Sequence, residues 1–240
     1  MKIPLLCIPR TRFRKFLRIE KRYRCDASIV PLGCDCHPAQ VLKTLHLREC
    51  SLPFDWLNIS PMETFAYVNE NLRHEFRDFL RDVRRNERGH FIAGRFPCAE
   101  FMHEPDLDAA EVQAKFRRRT ELLRRKLQSE RIAFLHNLPA SAIADRGSIS
   151  AYLQDVRQFL ATAPAGSTLH VYLRHDEALS ENQPLADELC AGLTALGIRH
   201  VKYVRHLQSC GIWGDPRQYH SLLTGLGLRL RMTFPKVYVK

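Results

Sequence analysis

No apolar run in this 240-residue sequence approaches the ~20 residues that a membrane-spanning helix needs. The apolar stretch at 3–8 is too short for a secretory h-region, and basic residues follow it where small cleavage-site residues would stand. There is no P-loop, no GxGxxG and no GxSxG, which removes the common phosphate cradles and the serine-hydrolase elbow. Internal repeats and low-complexity tracts are absent as well. The eight cysteines include no CxxC pair, so neither a paired zinc motif nor a secreted disulfide framework is expected. These absences describe a cytoplasmic chain with free thiols and no cofactor. Hydrophobic content of 45% and charged content of 26% are ordinary for one globular domain.

Charge is present, and it is unevenly placed. Of the formal net charge of +11, residues 1–25 supply nine Lys or Arg against one Glu. This segment reads as a basic N-terminal arm ahead of a single α/β domain at 26–240. With Leu5, Leu6, Phe13, Phe16 and Leu17 interleaved, it suits the periphery of an anionic membrane, or it is a solvated leader. The body, nearly neutral by comparison, does not read as a nucleic-acid binder.

The periodicity gives a strand at 28–32, a helix at 38–46, a largely helical stretch at 61–82, and a loop or short strands at 83–107. A helix at 109–129 carries a stripe of Val112, Phe116, Leu123 and Leu127. Beyond it, strands at 131–135, 168–173 and 199–204 alternate with helices at 149–162 and 184–196. That alternation predicts an α/β fold with a mostly parallel sheet and covering helices. In such sheets sites gather at the carboxyl ends of strands, where residues 33–36, 136–137 and 174–177 all fall.

The chemistry concentrates at 28–56. An apolar run ends at Gly33, Cys34 and Cys36 flank Asp35, and Pro38 opens a helix, which puts Cys36 at a helix N-terminus. Unpaired N–H groups there favour negative charge, so they would hold a thiolate and stabilise an oxyanion. Cys34 is a resolving thiol or a packed one. Candidate bases are His37, His103, His136 and His175; spacing alone does not choose among them. Asp55 would orient a base or cap the next helix. Arg119 shares the helical stripe with Val112, so it faces a carboxylate or anion partner, or it snorkels from the stripe's edge.

Gly33-Cys34-Asp35-Cys36, the helix after it, and Pro53-Phe54-Asp55-Trp56 together resemble a bacterial family of unknown function known as papain-like cysteine peptidases. Looser likenesses follow at Phe101-Met102-His103, at the arginine-dense segment around Arg119, and at Ile132-Ala133-Phe134-Leu135, so the resemblance spans about 28–140. It implies Cys36 as nucleophile, His103 as base, Asp55 or Asp106 as orienting carboxylate, and an acyl or peptide substrate. It also implies a papain-like α+β fold, as the alternative to the parallel sheet that periodicity predicts. The rival expectation is a non-catalytic protein docking on anionic lipid or polymer through its basic arm.

Overall fold

Apolar runs of strand length alternate with amphipathic segments of helical length, and the fold follows that alternation. The computed structural model describes residues 2–7, 9, 14–178 and 182–239, without the side chains of Lys2 and Leu5. In chain order the first elements are β1 (Lys2–Cys7), β2 (Arg14–Cys25), β3 (Ser28–Pro31), α1 (His37–Thr44) and β4 (Asn58–Ile59). Next come α2 (Thr64–Arg73), β5 (Val83–Arg85), β6 (Phe91–Ala93), β7 (Phe96–Glu100), α3 (Ala110–Ser129), β8 (Ile132–Pro139) and α4 (Arg146–Thr162). The chain closes with β9 (Thr168–Asp176), α5 (Gln183–Ala195), β10 (Arg199–Arg205), α6 (Leu207–Cys210), α7 (Tyr219–Gly225) and β11 (Leu230–Val239).

The protein is mixed α/β, with several sheets, one of them parallel. That sheet has the order β10-β9-β8-β3, and all three of its strand pairs are parallel. β8 is buried from Ile132 through Leu138, as a strand covered on both faces must be. Because side chains alternate across a strand, β8 feeds two cores. Phe134 and Leu138 join Tyr152, Val156 and Phe159 of α4 on one side. Ala133 and Leu135 join Val41 and Leu42 of α1 and Leu222 and Leu223 of α7 on the other. The carboxyl ends of β3, β8 and β9 are thereby held in one place.

The other two sheets are antiparallel. One, of order β4-β7-β6-β5, fills the stretch read as loop or short strands. The other, of order β1-β2-β11, takes up the basic N-terminal segment. That segment is no free arm among its described residues, because β2 lies between β1 and the C-terminal β11, and Tyr23 packs into the second core beside Leu230. Phe13 lies outside the described residues.

The helical stretch expected at 61–82 ends early. After a short 3-10 turn, α2 stops at Arg73, and Glu75 and Phe76 take left-handed φ values of 52° and 61°. Phe76 and Phe79 still reach the core beside Phe54, so the apolar spacing continues after the backbone has left the helix. By contrast α4 starts three residues earlier than periodicity predicts, because Asp145 and Ser148 form a reciprocal capping box. Among the described residues no helix is long and apolar enough to cross a membrane.

Candidate active site

β3 delivers the chain to a tight loop at the carboxyl end of the parallel sheet. A Cβ on Gly33 would stand 2.1 Å from the Asp35 carbonyl oxygen, so this turn admits only glycine. Cys34 turns inward, buried, and its thiol donates to the Asn137 carbonyl at 3.3 Å. Burial holds that thiol well above its usual range. Cys34 is therefore a packed group beside Asn137.

Asp35 ties the loop to the neighbouring strands. One carboxylate oxygen accepts from the His37 N–H at 2.9 Å and from Asn137 Nδ2 at 3.0 Å. The other accepts from Arg174 Nη1 at 2.5 Å. Burial alone would raise the Asp35 carboxyl, but the Arg174 charge and these bonds bring it below its ordinary value. The three strand ends singled out by sequence thus converge on one carboxylate. Asn137 comes from β8 and Arg174 from β9.

Cys36 is the N-cap of α1, half-buried, and its Sγ lies 3.2 Å from Nε2 of His103, sixty-seven residues away. The structure brings this pair together without holding a thiolate. Burial first, then the negative charges of Asp35 and Asp55, push the Cys36 thiol up to about 11. The helix start also lacks part of the expected oxyanion donors. His37 gives its N–H to Asp35, and Pro38 has none. The activation expected from helix position is outweighed by burial beside two carboxylates.

The remaining histidines are placed elsewhere. His37 is buried, its Nδ1 2.7 Å from the Tyr172 hydroxyl and its Nε2 3.2 Å from the Trp213 carbonyl. A carbonyl only accepts, so Nε2 carries the proton and Nδ1 accepts from the tyrosine. Burial depresses this imidazole to about 4. His136 likewise gives its Nδ1 proton to the Leu32 carbonyl, packs edge-on against Phe65 and is depressed by burial to about 4. His175 is buried, lowered by burial, with no partner for either ring nitrogen among the described residues.

Neither expected carboxylate touches His103. Asp106 is exposed and accepts from the Asp108 N–H at 3.0 Å. Asp55 is buried, and one of its oxygens accepts from Arg48 at 2.6 and 3.0 Å and from the Leu52 N–H at 3.0 Å. Burial still raises its carboxyl, against the Arg48 charge. The Arg48 guanidinium then stacks on Trp56 at 5.2 Å, and Trp56 meets the His103 ring edge-to-face at 5.8 Å. The Pro-Phe-Asp-Trp motif therefore reaches His103 through Arg48 and Trp56, two residues to which the sequence reading gave no role. An arginine seven residues before a buried aspartate is the signal that was there to find.

Arg119 is half-buried over the Phe116 ring at 5.0 Å and has no ion pair among the described residues. Burial lowers its pKa, against the nearby negative charges of Glu104 and Asp55. Those two carboxylates are taken already, by Lys115 at 2.5 Å and by Arg48. Among the described residues no group of three or more His, Cys, Asp or Glu is placed to hold a metal. No protein-family model matches the chain, nor does any curated sequence or solved structure.

Proposed function

We propose that the chain is a cysteine-dependent hydrolase or acyl transferase in which Cys36 is the nucleophile and His103 its proton acceptor. The 3.2 Å contact between Sγ and Nε2 carries the reading. With the thiol pushed up to about 11, Cys36 rests as a neutral thiol, and its proton passes to His103 as sulfur attacks. Sγ bonds to the acyl carbon as its proton passes to His103 Nε2. The bond to the leaving group breaks as His103 returns that proton to it. Water, or an amine or sugar hydroxyl, then attacks the thioester carbon and gives its proton to His103. The carbon–sulfur bond breaks, His103 returns the proton to the departing Sγ, and the acyl group leaves on the acceptor. Arg119, which has no ion pair among the described residues, offers its guanidinium to a carboxylate or phosphate on the substrate.

The motif resemblance to the papain-like cysteine peptidases supports the same two residues. The finer architecture that goes with that family, a helical half against an antiparallel barrel-like half, has the two antiparallel sheets in its favour. The parallel sheet under Cys36 stands against it.

Alkylation of Cys36 by chloroacetamide, followed by mass spectrometry across pH with buried Cys34 as control, tests the pair. Wild-type Cys36 is expected to react at neutral pH at least tenfold faster than Cys36 in His103→Ala. Equal rates would mean that no proton moves between the two side chains. The second reading, a packed contact in a non-catalytic binding protein, would then stand. The raised Cys36 thiol is the observation in its favour.

A further inference from the structure

We propose that the outer sheet β1-β2-β11 is a docking surface for an anionic phospholipid membrane, independent of any chemistry at Cys36. The argument starts from register. Leu17, Ile19 and Tyr23 of β2 stand opposite Val239, Val237 and Met232 of β11, and Ile3 of β1 also faces Leu17. Because side chains alternate, these apolar residues share one face of the sheet, with Lys15 and Lys21 of β2 interspersed among them. The intervening positions of β2 are Arg14, Phe16, Arg18, Glu20, Arg22 and Arg24, with Arg231 and Lys236 on the same face of β11. Glu20 is the one acidic residue within these three strands.

Tyr23 and Leu230 pack on the second core, while much of the apolar surface of β1 and β11 stays in water. Among the described residues the large hydrophobics left exposed are eight, and six of them belong to β1 and β11. Phe234 is 94% exposed and Met232 64%, with Leu6, Val237 and Val239 each at 52%. Scattered exposed apolar residues are normal, but a contiguous group rimmed by charge marks an interaction surface.

The charge decides what kind of surface. Arg24 stands directly opposite Arg231; Arg231 has Asp26 at 3.0 Å, while Arg24 has no ion pair among the described residues and is open to an incoming anion. A groove of about 1140 Å³ runs between the sheet and the end of α1, and its lining includes Arg22, Arg24, Lys43 and Arg48 beside Met232 and Phe234, with no acidic residue. A second copy of this chain would bring the same cations against these, so self-association is opposed. A soluble polyanion would satisfy the guanidinium groups and leave Phe234 and Met232 in water. An anionic bilayer answers both. Apolar side chains enter the headgroup boundary, while the cations across one sheet thickness bind phosphates within the ~8 Å screening length.

The test is co-sedimentation of the full chain with phosphatidylcholine vesicles, with and without phosphatidylglycerol, at low and high salt. Binding is expected only with phosphatidylglycerol, and salt should weaken it. Arg24→Glu combined with Lys43→Glu, both exposed positions, should weaken it at least tenfold, at about fivefold per cation removed. Phe234→Ser, at a side chain that folding leaves in water, should weaken it roughly tenfold with every cation in place. Absence of binding to phosphatidylglycerol vesicles would overturn the proposal. So would binding that Phe234→Ser leaves intact, with heparin or an oligonucleotide competing equally, because the surface would then serve a soluble polyanion.

Discussion

The carboxyl end of the parallel sheet and the outer antiparallel sheet use the same side chain in opposite ways. At the first, Arg174 is 93% buried and Asp35 accepts from it at 2.5 Å, with Asn137 and the His37 N–H completing the carboxylate's bonds. At the second, Arg24 is exposed, faces another arginine and has no ion pair among the described residues. A buried guanidinium is tolerated only when its charge is answered, so it fixes the geometry of whatever answers it. An exposed one fixes nothing and stays available to a partner. The difference separates residues that hold the Cys36 loop from residues that wait on the surface.

Arg174→Met breaks the comparison at its stronger end. It leaves the Asp35 carboxylate without its cation at the base of the Cys36 loop, and should cost about 3–5 kcal/mol in urea unfolding. Asp35→Asn should cost at least as much, because it strands a guanidinium that is 93% buried, whereas Arg174→Met leaves a carboxylate that is 28% exposed and still accepts from Asn137 and the His37 N–H. If Arg174→Met unfolded within 0.5 kcal/mol of wild type, the polar cluster would not be what anchors the loop.

The same interior is sensitive to acid. His136 titrates near 4 in the folded chain because burial disfavours its charged form, against about 6.5 when unfolded. Between those values the unfolded chain binds the extra proton, so the stabilisation is complete above 6.5 and is lost as pH falls toward 4. The loss from His136 alone should be about 3 kcal/mol, and His37, also near 4, adds in the same direction. Urea titrations at pH 7 and pH 4.5 should show it, and His136→Gln should flatten the slope. An unchanged slope in that variant would place the acid sensitivity elsewhere.

How legible these regions were follows from their range of interaction. The end of β8 was visible because an apolar run stops at His136-Asn137, and sequence alone suggested that three such ends converge. It did not say that Asp35 is where they meet, since facing side chains depend on strand order. The contact between Cys36 and His103 was suggested only by resemblance, because two short antiparallel strands at 91–100 bring His103 back to the cleft. Asp55 was misplaced because Arg48, seven residues earlier, competes for it. Residues 1–25 read as a basic arm, membrane-peripheral or solvated, for a simpler reason. Alternating arginines read as solvent-facing everywhere, and the strand that pairs with the segment lies some two hundred residues later.

The smallest expected effect sharpens the comparison most, because its sign reverses. Arg24→Thr removes one member of the like-charged pair with Arg231 and puts a β-branched residue on the strand. Arg231 keeps its own partner, Asp26 at 3.0 Å, so no charge is orphaned by the change. The variant should therefore unfold a few tenths of a kcal/mol later than wild type, where Arg174→Met loses several. A protein gains by this substitution only if the arginine is held for something other than folding. If Arg24→Thr were destabilising by 1 kcal/mol or more, Arg24 would be a structural residue of the sheet. The outer surface would then be built like the interior, and the contrast between the two regions would fall.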